Sequence, residues 1–383
     1  MNILFVTQWY PNREQPFFGI FVREHARAVQ SAGHKVQVLA LSLHRSKKLF
    51  HKKIYHYTDE SGIRTTQCEL HSRLKDLLYH LPRLQFYFLK KAYREECGQE
   101  KFDLVHSQVI YPAGIWGHSL AEQLKIPHII TEHWSRLADF SKGSYVGIAR
   151  KAYSSAGAIL PVSAFLKQNI QRVFPELNEQ AFTIVGNVVD NTCFFYKTPE
   201  KQPNELTFCA IATWQHKKKP DKIPELFIEA LSQLQKNESR KIKLVMVGGG
   251  NKVADLKQAC VNANINARFT GYLSKEKIAE ELHQVDYFVH ASTIETFSIV
   301  VAEALACGVP VISSNTGALP ELIDSDNGLV CENTLQAWTE TLQKATTTAY
   351  DRKQIAEKLQ QRFSRESIGK KIAAIYSSVG GDH

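Results

Sequence analysis

The sequence predicts two doubly wound α/β domains that face each other across a cleft. Three observations support this fold class: the length, the apolar content and the alternation of short apolar runs with helical patterns. With 383 residues the chain can form about two domains, and 44% apolar residues supply enough side chains for two cores. Short buried strands that alternate with helices are typical of parallel sheets.

The first domain is predicted over residues 1–190 and begins with a βαβ unit. The run ILFVT predicts a strand, Val22, Ala26 and Val29 recur at helical spacing, and HKVQVLALS predicts a second buried strand. Further strands are predicted for FDLVHS, IPHIITEH, GAILPVS and FTIVGN, with a helix over AGIWGHSLAEQLK.

Residues 71–96 interrupt this pattern, because they are basic, aromatic and broadly helical, with a break at Pro82. A segment of this kind suits an anionic membrane surface. Packing of two amphipathic helices on their own domain explains it equally, so both interpretations stay open.

The second domain is predicted over residues 191–360, after a polar linker with the sequence DNTCFFYKTPEKQPNE. Its strands are expected at LTFCAIAT, KIKLVMVGG, ARFTGY, DYFVHAS and VPVISS. Helices are expected between them at PELFIEALSQL, VADLKQACVN and KEKIAEELHQ, and two terminal helices at residues 335–348 and 351–377.

Charge and cysteine content narrow the class of protein. Lys and Arg outnumber Asp and Glu by 47 to 38, and the net charge of +9 suits an anionic partner or solubility alone. Seven widely spaced cysteines argue against a disulfide framework or a zinc site. The N-terminus does not resemble a signal peptide, and no apolar run reaches the ~18 residues of a spanning helix. A cytoplasmic protein is expected, or one peripheral at the inner face of the plasma membrane.

The stretch ASTIETFSIVVAEALACGVPVISS, residues 291–314, places one carboxylate before an apolar helix and another inside it. The helix is predicted to begin at Thr296–Ser298 with these residues as caps, and its first N–H groups suit a phosphate. Glu303 would lie about one turn in, where either a structural hydrogen bond or a ligand with paired hydroxyls, such as a ribose, would satisfy it. Glu295 would face whatever lies beyond the phosphates. Alternatively, Glu303 reaches a wet edge and Glu295 is an ordinary loop carboxylate.

Further segments flank this stretch: KLVMVGGG and RFTGYLSKEKIAEELHQVDYFVH lie before it, and NTGALPELIDSDNGLV lies after it. Together they resemble the second domain of the family 4 glycosyltransferases. The segments ILFVTQWYP, FFGIFVREHARAVQSAGHKVQVL, ILPVSAFLKQNI and VGNVVD resemble the first. The resemblance implies the GT-B fold of two facing Rossmann-like domains and retaining transfer from a nucleotide-sugar. It also implies that residues 361–383 form a helix that crosses back to the first domain, and that neither a metal ion nor another cofactor is required.

The resemblance also implies roles for individual residues. Glu295 and Glu303 match the family's two glutamates separated by seven residues, so Glu303 would bind the ribose and Glu295 the donor sugar. His133, after a first-domain strand, would face the donor sugar. Gly19 would let the backbone approach the donor phosphates or the acceptor. The backbone amides expected to hold the diphosphate belong to Thr296, Phe297, Ser298 and Ile299.

Two features depart from the family pattern. EGFG of the family becomes ETFS here, which should stiffen the loop while leaving the backbone amides available. The diphosphate-binding Arg expected after the first strand of the second domain is missing, and Thr213 or Trp214 stands near its place. The cation that the leaving diphosphate requires must come from a lysine; Lys219 is favoured and Lys218 is second, with Lys217 and Lys222 as further candidates.

The expected partners follow from the same resemblance. The donor would be a nucleotide-sugar, most commonly a UDP-sugar in this family, and the acceptor a glycan, a lipid-linked sugar or a polysaccharide. An anionic membrane surface is a further expected partner of residues 71–96. Nucleic acid is not expected, because no RNA- or DNA-binding motif accompanies the basic residues. The alternative function is a sugar-nucleotide epimerase of the same architecture, which would consume the donor without an acceptor.

Overall fold

A computed structural model describes residues 1–15, 18–135, 137, 145–199 and 204–380. The chain divides into two compact units: unit 1 contains Met1–Val188 and Arg365–His383, and unit 2 contains Val189–Ser364. The sequence-based boundaries lay at residues 190 and 360. The returning C-terminal segment therefore begins at Arg365, four residues later than expected.

Unit 1 is built on a mainly parallel sheet with helices between its strands. Its strands are β1 (Asn2–Thr7), β2 (Lys35–Arg45), β3 (His51–Thr58), β4 (Arg64–Ser72), β5 (Leu104–Gln108), β6 (His128–Glu132) and β7 (Ala158–Pro161). Its helices are α1 (Ile20–Ser31), α2 (Lys75–Tyr79), α3 (Pro82–Glu96), α4 (Ile115–Leu124), α5 (Val146–Ser154), α6 (Ala164–Val173) and, after unit 2, α14 (Arg365–Gly380).

The described strands of this sheet run in the order β3-β4-β2-β1-β5-β6-β7, and β3 is antiparallel to β4 while the other pairs are parallel. The sequence did not predict β3 and β4, because β3 alternates without a strong apolar run and lies at the sheet edge, half exposed. The strand predicted at FTIVGN is wrong, since only an isolated bridge joins Phe182 to Ile159. The break predicted at Pro82 is confirmed, because α2 ends at Tyr79 and Pro82 occupies the first turn of α3, where a missing N–H costs nothing.

Unit 2 repeats the architecture with a second parallel sheet. Its strands are β8 (Glu205–Ile211), β9 (Lys241–Val247), β10 (Asn266–Gly271), β11 (Tyr287–His290), β12 (Val311–Ser314) and β13 (Gly328–Cys331). Its helices are α7 (Pro224–Gln235), α8 (Val253–Asn262), α9 (Lys275–His283), α10 (Ile299–Ala306), α11 (Leu319–Leu322), α12 (Leu335–Thr347) and α13 (Arg352–Phe363).

The described strands of unit 2 run in the order β10-β9-β8-β11-β12-β13 and are parallel throughout. One face of the sheet packs on α7, α8 and α12 through a core that includes Phe208, Phe227 and Trp338. The single helix predicted over residues 351–377 is divided at Ser364, the junction of the two units.

Helix α14 packs on α1 within unit 1, where Gly369 permits close contact: a Cβ there would lie 2.3 Å from the carbonyl oxygen of Ala28. The predicted fold class, two Rossmann-like α/β domains with parallel sheets, is confirmed. Within the described ranges, no helix is both long and apolar enough to cross a lipid bilayer.

Candidate functional site

The carboxyl ends of the central strands of unit 2 carry a compact group of charged side chains. His290 is the last residue of β11 and is 4% exposed. Its Nε2 lies 2.8 Å from Oε1 of Glu295, and Lys222 forms an ion pair with the same carboxylate oxygen. Lys222 also lies 3.3 Å from Oγ of Ser292, so its ammonium is fixed at the strand ends.

The protonation of this group follows from its burial and its charges. Burial alone would raise the pKa of Glu295, but the Lys222 ammonium and the His290 hydrogen bond outweigh it and hold the pKa at about 2. Burial and the nearby Lys222 charge lower the pKa of His290. Glu295 is therefore a carboxylate near neutral pH, and neutral His290 donates its Nε2–H to it.

The segment between Glu295 and α10 differs from the expected cap. Helix α10 begins at Ile299, and Ser298 at its N-cap has φ 69° without a side-chain capping bond. Instead, Ser298 Oγ lies 3.3 Å from His290 Nε2. Its left-handed backbone is the conformation that glycine adopts without strain, so a serine in place of the family's second glycine costs about 1 kcal/mol here. Phe297 is 3% exposed and packs edge-on against Phe363, so it anchors the loop to the core.

Glu303 lies partly buried on α10, beside an ion pair between Lys275 and Asp190. Burial raises the pKa of Glu303 to about 8; Lys275 opposes this shift and Asp190 adds to it. Among the described residues, no side chain donates a hydrogen bond to this carboxyl group. Glu295 and Glu303 are thus in opposite states: one is ionised and paired, and the other is largely protonated at neutral pH.

The loop after β8 holds Thr213 and Trp214 near the place where the family pattern has a diphosphate-binding Arg. Trp214 is 3% exposed, and its Nε1 donates to the carbonyl oxygen of Val247 at 3.1 Å. The backbones of this loop and of the loop after β9 are in close contact, because a Cβ at Gly250 would lie 1.9 Å from the Trp214 carbonyl oxygen. Trp214 is therefore a core residue, and Thr213 beside it is exposed.

The lysines of this loop are placed differently from one another. Lys217 pairs with Asp221, while Lys218 and Lys219 are exposed. Lys222 is the lysine that the described structure brings to Glu295. The sequence analysis favoured Lys219 and Lys218 and named Lys222 only as a further candidate. The assignments to Lys219, Lys218 and Thr213 stay predictions.

In unit 1, His133 follows β6 and is 6% exposed. Its Nε2 lies 2.9 Å from Oε1 of Gln108, the last residue of β5, and Gln108 Nε2 lies 3.2 Å from His106 Nε2. His106 Nδ1 in turn lies 2.6 Å from the hydroxyl of Tyr376 on α14. Because an amide donates through nitrogen and accepts through oxygen, Gln108 places the proton of His133 on Nε2.

This network in unit 1 is neutral. Burial lowers the pKa values of His106 and His133 well below the ordinary range, and other nearby histidines add to the effect. His25, whose ring centroid lies 5.3 Å from that of His133, has its pKa lowered by burial to about 4. His133 is therefore an uncharged hydrogen-bonding group and not an imidazolium near pH 7.

Glu132 is a buried carboxyl group that the sequence analysis did not single out. Its oxygens accept hydrogen bonds from the backbone N–H groups of Ile110, His133 and Trp134 at 2.8–2.9 Å, and from the hydroxyl of Tyr153 at 2.8 Å. Burial raises its pKa and these hydrogen bonds oppose the shift. Glu132 thus fixes the loop that carries His133.

Gly19 is required by local packing in unit 1. Its φ is 72°, and a Cβ would lie 2.3 Å from the carbonyl carbon and oxygen of Trp9. The tight approach between these two backbones fixes the start of α1. A role of Gly19 toward donor or acceptor stays a prediction. The described residues contain no group of three or more His, Cys, Asp or Glu arranged for a metal ion.

The two units match two family models. The model described as "Glycosyl transferases group 1" matches residues 197–362, and that described as "Glycosyltransferase Family 4" matches residues 19–192. The chain is 27% identical over 268 residues to an uncharacterised glycosyltransferase of Methanocaldococcus jannaschii, covering 67% of this chain and 70% of that one. It is 26% identical over 277 residues to the alpha-monoglucosyldiacylglycerol synthase of Streptococcus pneumoniae, covering 64% of this chain and 61% of that one.

The alignments thus span between 61% and 70% of these relatives' own lengths. Among solved structures, HepE of Anabaena in complex with UDP superposes with a TM-score of 0.71 at 17% identity, covering 99% of this chain and all of that one. At this identity the likeness shows the fold, which is GT-B. The named matches are glycosyltransferases, which disfavours the epimerase alternative. The protein belongs to the family 4 glycosyltransferases and is a transferase enzyme.

Proposed function

We propose that the protein transfers a sugar from a nucleotide-sugar, with UDP as the nucleotide, to a hydroxyl of a glycan or lipid-linked acceptor. In this proposal the anomeric configuration is retained and no metal ion takes part. The choice of UDP is supported by the similar fold of HepE, which was solved with UDP. A lipid-linked acceptor is consistent with the relative whose name describes a glucosyldiacylglycerol synthase.

The observation that carries the proposal is the pairing of Lys222 with Glu295 next to the N-terminus of α10. A diphosphate bound at the free N–H groups of Ser298 and Ile299 would meet the helix dipole and the Lys222 ammonium together. The ammonium would stabilise the charge that develops on the diphosphate as the glycosidic bond breaks. Lys222 therefore replaces Lys219 as our first choice for this role.

Glu303 would receive the two ribose hydroxyls. A carboxylate is a better acceptor than a carboxylic acid, because both of its oxygens accept. Ribose binding would thus favour the ionised form and lower the pKa of Glu303 from about 8. Nucleotide binding at pH 7 should then release up to one proton, which is a signature of this residue.

Glu295 and His133 would contact the donor sugar. Glu295 would accept from sugar hydroxyls as a carboxylate, and His133 would act as a neutral group whose tautomer Gln108 fixes. The acceptor hydroxyl would attack from the side that the diphosphate leaves, so that a phosphate oxygen takes its proton. This route needs no protein nucleophile.

The test is titration calorimetry of UDP, GDP and ADP in EDTA, repeated in buffers of different ionisation enthalpy. UDP is expected to bind the wild type with proton release near pH 7. The Glu303→Gln variant should bind at least about tenfold more weakly and release no proton. Equal binding by wild type and variant would make Glu303 structural. Binding of none of the three nucleotides would overturn the assignment of a nucleoside diphosphate donor.

Transfer itself is tested with a panel of UDP-sugars, by following UDP release with and without added acceptor glycans or glycolipids. The anomeric configuration of the product, read by NMR, tests retention. An inverted product would contradict the proposed same-side attack even if UDP binding is found.

A further inference from the structure

We propose that unit 1 docks on an anionic phospholipid membrane through a surface formed by residues 46–50 and 74–94. We call it the basic apolar surface. It consists of exposed apolar side chains at the centre with lysines and arginines around them. The proposal goes beyond the transfer reaction, and its test does not depend on the donor nucleotide.

Exposed apolar side chains are concentrated in this one region. Leu49, Tyr87 and Leu77 are 63%, 62% and 56% exposed, and Leu74, Phe50, Leu84 and Leu81 are 39–45% exposed. The other large apolar side chains exposed among the described residues are scattered over the chain: Met1, Phe18, Ile184, Phe195, Val261 and Tyr272. Scattered exposure is ordinary, whereas a cluster marks an interaction site.

The two segments of the surface are in direct contact. Arg73 N–H donates to the carbonyl oxygen of Lys48 at 2.9 Å, and Ser72 Oγ donates to that of Leu49 at 2.5 Å. The rings of Phe50 and Phe88 stack with centroids 4.9 Å apart. The loop of residues 46–50 therefore lies along α2 and α3, and its apolar side chains adjoin theirs.

Helices α2 and α3 have apolar side chains on two faces. Leu78, Leu89 and Ala92 are buried against the sheet of unit 1 and hold the helices in place. Leu77 of α2 and Leu84 of α3 are exposed, and so are Leu74 and Leu81, which immediately precede these two helices. Gln85 donates to the carbonyl oxygens of Leu78 and Tyr79 at 2.5 and 3.1 Å, which fixes the turn between the helices. Packing on unit 1 therefore accounts for the buried face but not for the outer one.

The charge of the basic apolar surface identifies the occupant. Residues 46–50 and 74–94 contain seven Lys and Arg against one Asp. No carboxylate of a described residue lies within ion-pair distance of six of these basic side chains: Lys47, Lys48, Lys75, Arg83, Lys90 and Arg94. Apolar side chains surrounded by unpaired cations match the boundary between acyl chains and anionic headgroups.

Other occupants fit less well. Lysine is depleted in protein–protein interfaces, and here lysines surround the leucines. Single-stranded nucleic acid is bound by stacking on aromatic rings, and here four of the seven central side chains are leucines of the helical segment. An anionic bilayer accommodates both the leucines and the cations.

The test is co-sedimentation of the full chain with vesicles of phosphatidylcholine alone and vesicles rich in phosphatidylglycerol. The variant is Leu74→Ser with Leu77→Ser, and the matched control is Val261→Ser, an apolar side chain 71% exposed on α8. The wild type and the control should bind the anionic vesicles, more weakly at high salt. The double variant should lose at least about tenfold in partitioning.

Absence of wild-type binding to anionic vesicles, or equal binding by the double variant, would overturn the proposal. Thermal unfolding of the same samples shows that the double variant is folded, so that any loss of binding arises at the surface. Sedimentation velocity without vesicles tests whether the surface is instead an interface between two copies of the chain. A wild-type dimer that the double variant converts to a monomer would make this surface a subunit interface and would overturn membrane docking.

Discussion

The carboxyl ends of the central strands carry an ion pair in unit 2 and a chain of uncharged side chains in unit 1, next to the buried carboxyl group of Glu132. In unit 2, Lys222 and Glu295 form an ion pair beside His290. In unit 1, His133, Gln108 and His106 form a chain of hydrogen bonds in which no member is charged near pH 7. Unit 2 can thus stabilise developing charge, and unit 1 can orient neutral hydroxyl groups.

Individual groups in the two units predict opposite responses to pH. In unit 2 the raised pKa of Glu303 gives a contribution to stability that is lost as the pH increases. In unit 1 the lowered pKa values of His25 and His128 give a contribution that is lost as the pH decreases. The predictions below test each half of this comparison.

The largest effect is expected for Lys222→Ala. The change leaves the Glu295 carboxylate buried without its ammonium partner and removes the cation proposed for the diphosphate. We expect kcat to fall by at least about 100-fold, roughly 2.7 kcal/mol, in a transfer assay. The exposed Lys236→Ala serves as control. Lys219→Ala in the same assay tests the sequence-based choice, and a loss as large as that of Lys222→Ala would return the role to Lys219.

The next effect is on stability at alkaline pH. Glu303 has a folded pKa of about 8, above that of the unfolded chain, so the wild type is destabilised as the pH rises from about 4.5 to 8. Glu303→Gln removes this ionisation. Between pH 6 and pH 9 the free energy of unfolding of the wild type should therefore fall by about 2 kcal/mol more than that of the variant. This value is reduced because Glu303 is partly exposed. Urea unfolding at both pH values measures it. If the free energies of unfolding of the two proteins change equally with pH, the raised pKa of Glu303 is contradicted.

The opposite sign is expected from His128 in unit 1. Burial lowers its pKa to about 3, so below pH 6.5 the unfolded chain binds a proton that the folded chain does not. Stability is lost as the pH decreases, by about 1.4 kcal/mol per pH unit for each such histidine. His128→Asn should reduce the slope of the unfolding free energy against pH by that amount between pH 4 and 6, as measured by urea unfolding. An unchanged slope in His128→Asn would show that His128 is already protonated in the folded protein.

The smallest effect is expected for Gln108→Leu. The substitution keeps the approximate volume and removes the acceptor that fixes the tautomer of His133. We expect kcat to fall about tenfold, roughly 1.4 kcal/mol, with UDP affinity unchanged because UDP binds unit 2 in this proposal. A Gln108→Glu variant, which still accepts from Nε2, should recover part of the activity. Loss of UDP binding in Gln108→Leu would show a folding defect and not a positioning role.

The sequence was informative where a site is one contiguous stretch. Residues 295–303 hold both glutamates and the start of α10, so a short motif and its resemblance to the family were enough to name them as candidates. It was less informative where the partners are distant in sequence. Glu295 meets Lys222 from 73 residues away, and the unit 1 chain connects His106 to Tyr376 across 270 residues. Ser298 shows a third limit, because its left-handed backbone follows from the packing of the loop and not from the preferences of serine.

The sequence by itself determined the fold class, the family and the candidate glutamates, because periodic apolar patterns and a short motif are local properties of the chain. Only the tertiary structure decided which lysine reaches Glu295, that Trp214 is core, that Gln108 orients His133, and that Leu77 and Leu84 are exposed. Each of these depends on which side chains the sheets bring together. Burial and neighbouring charges then shift the pKa values of Glu295 and Glu303 in opposite directions, although both residues are glutamates.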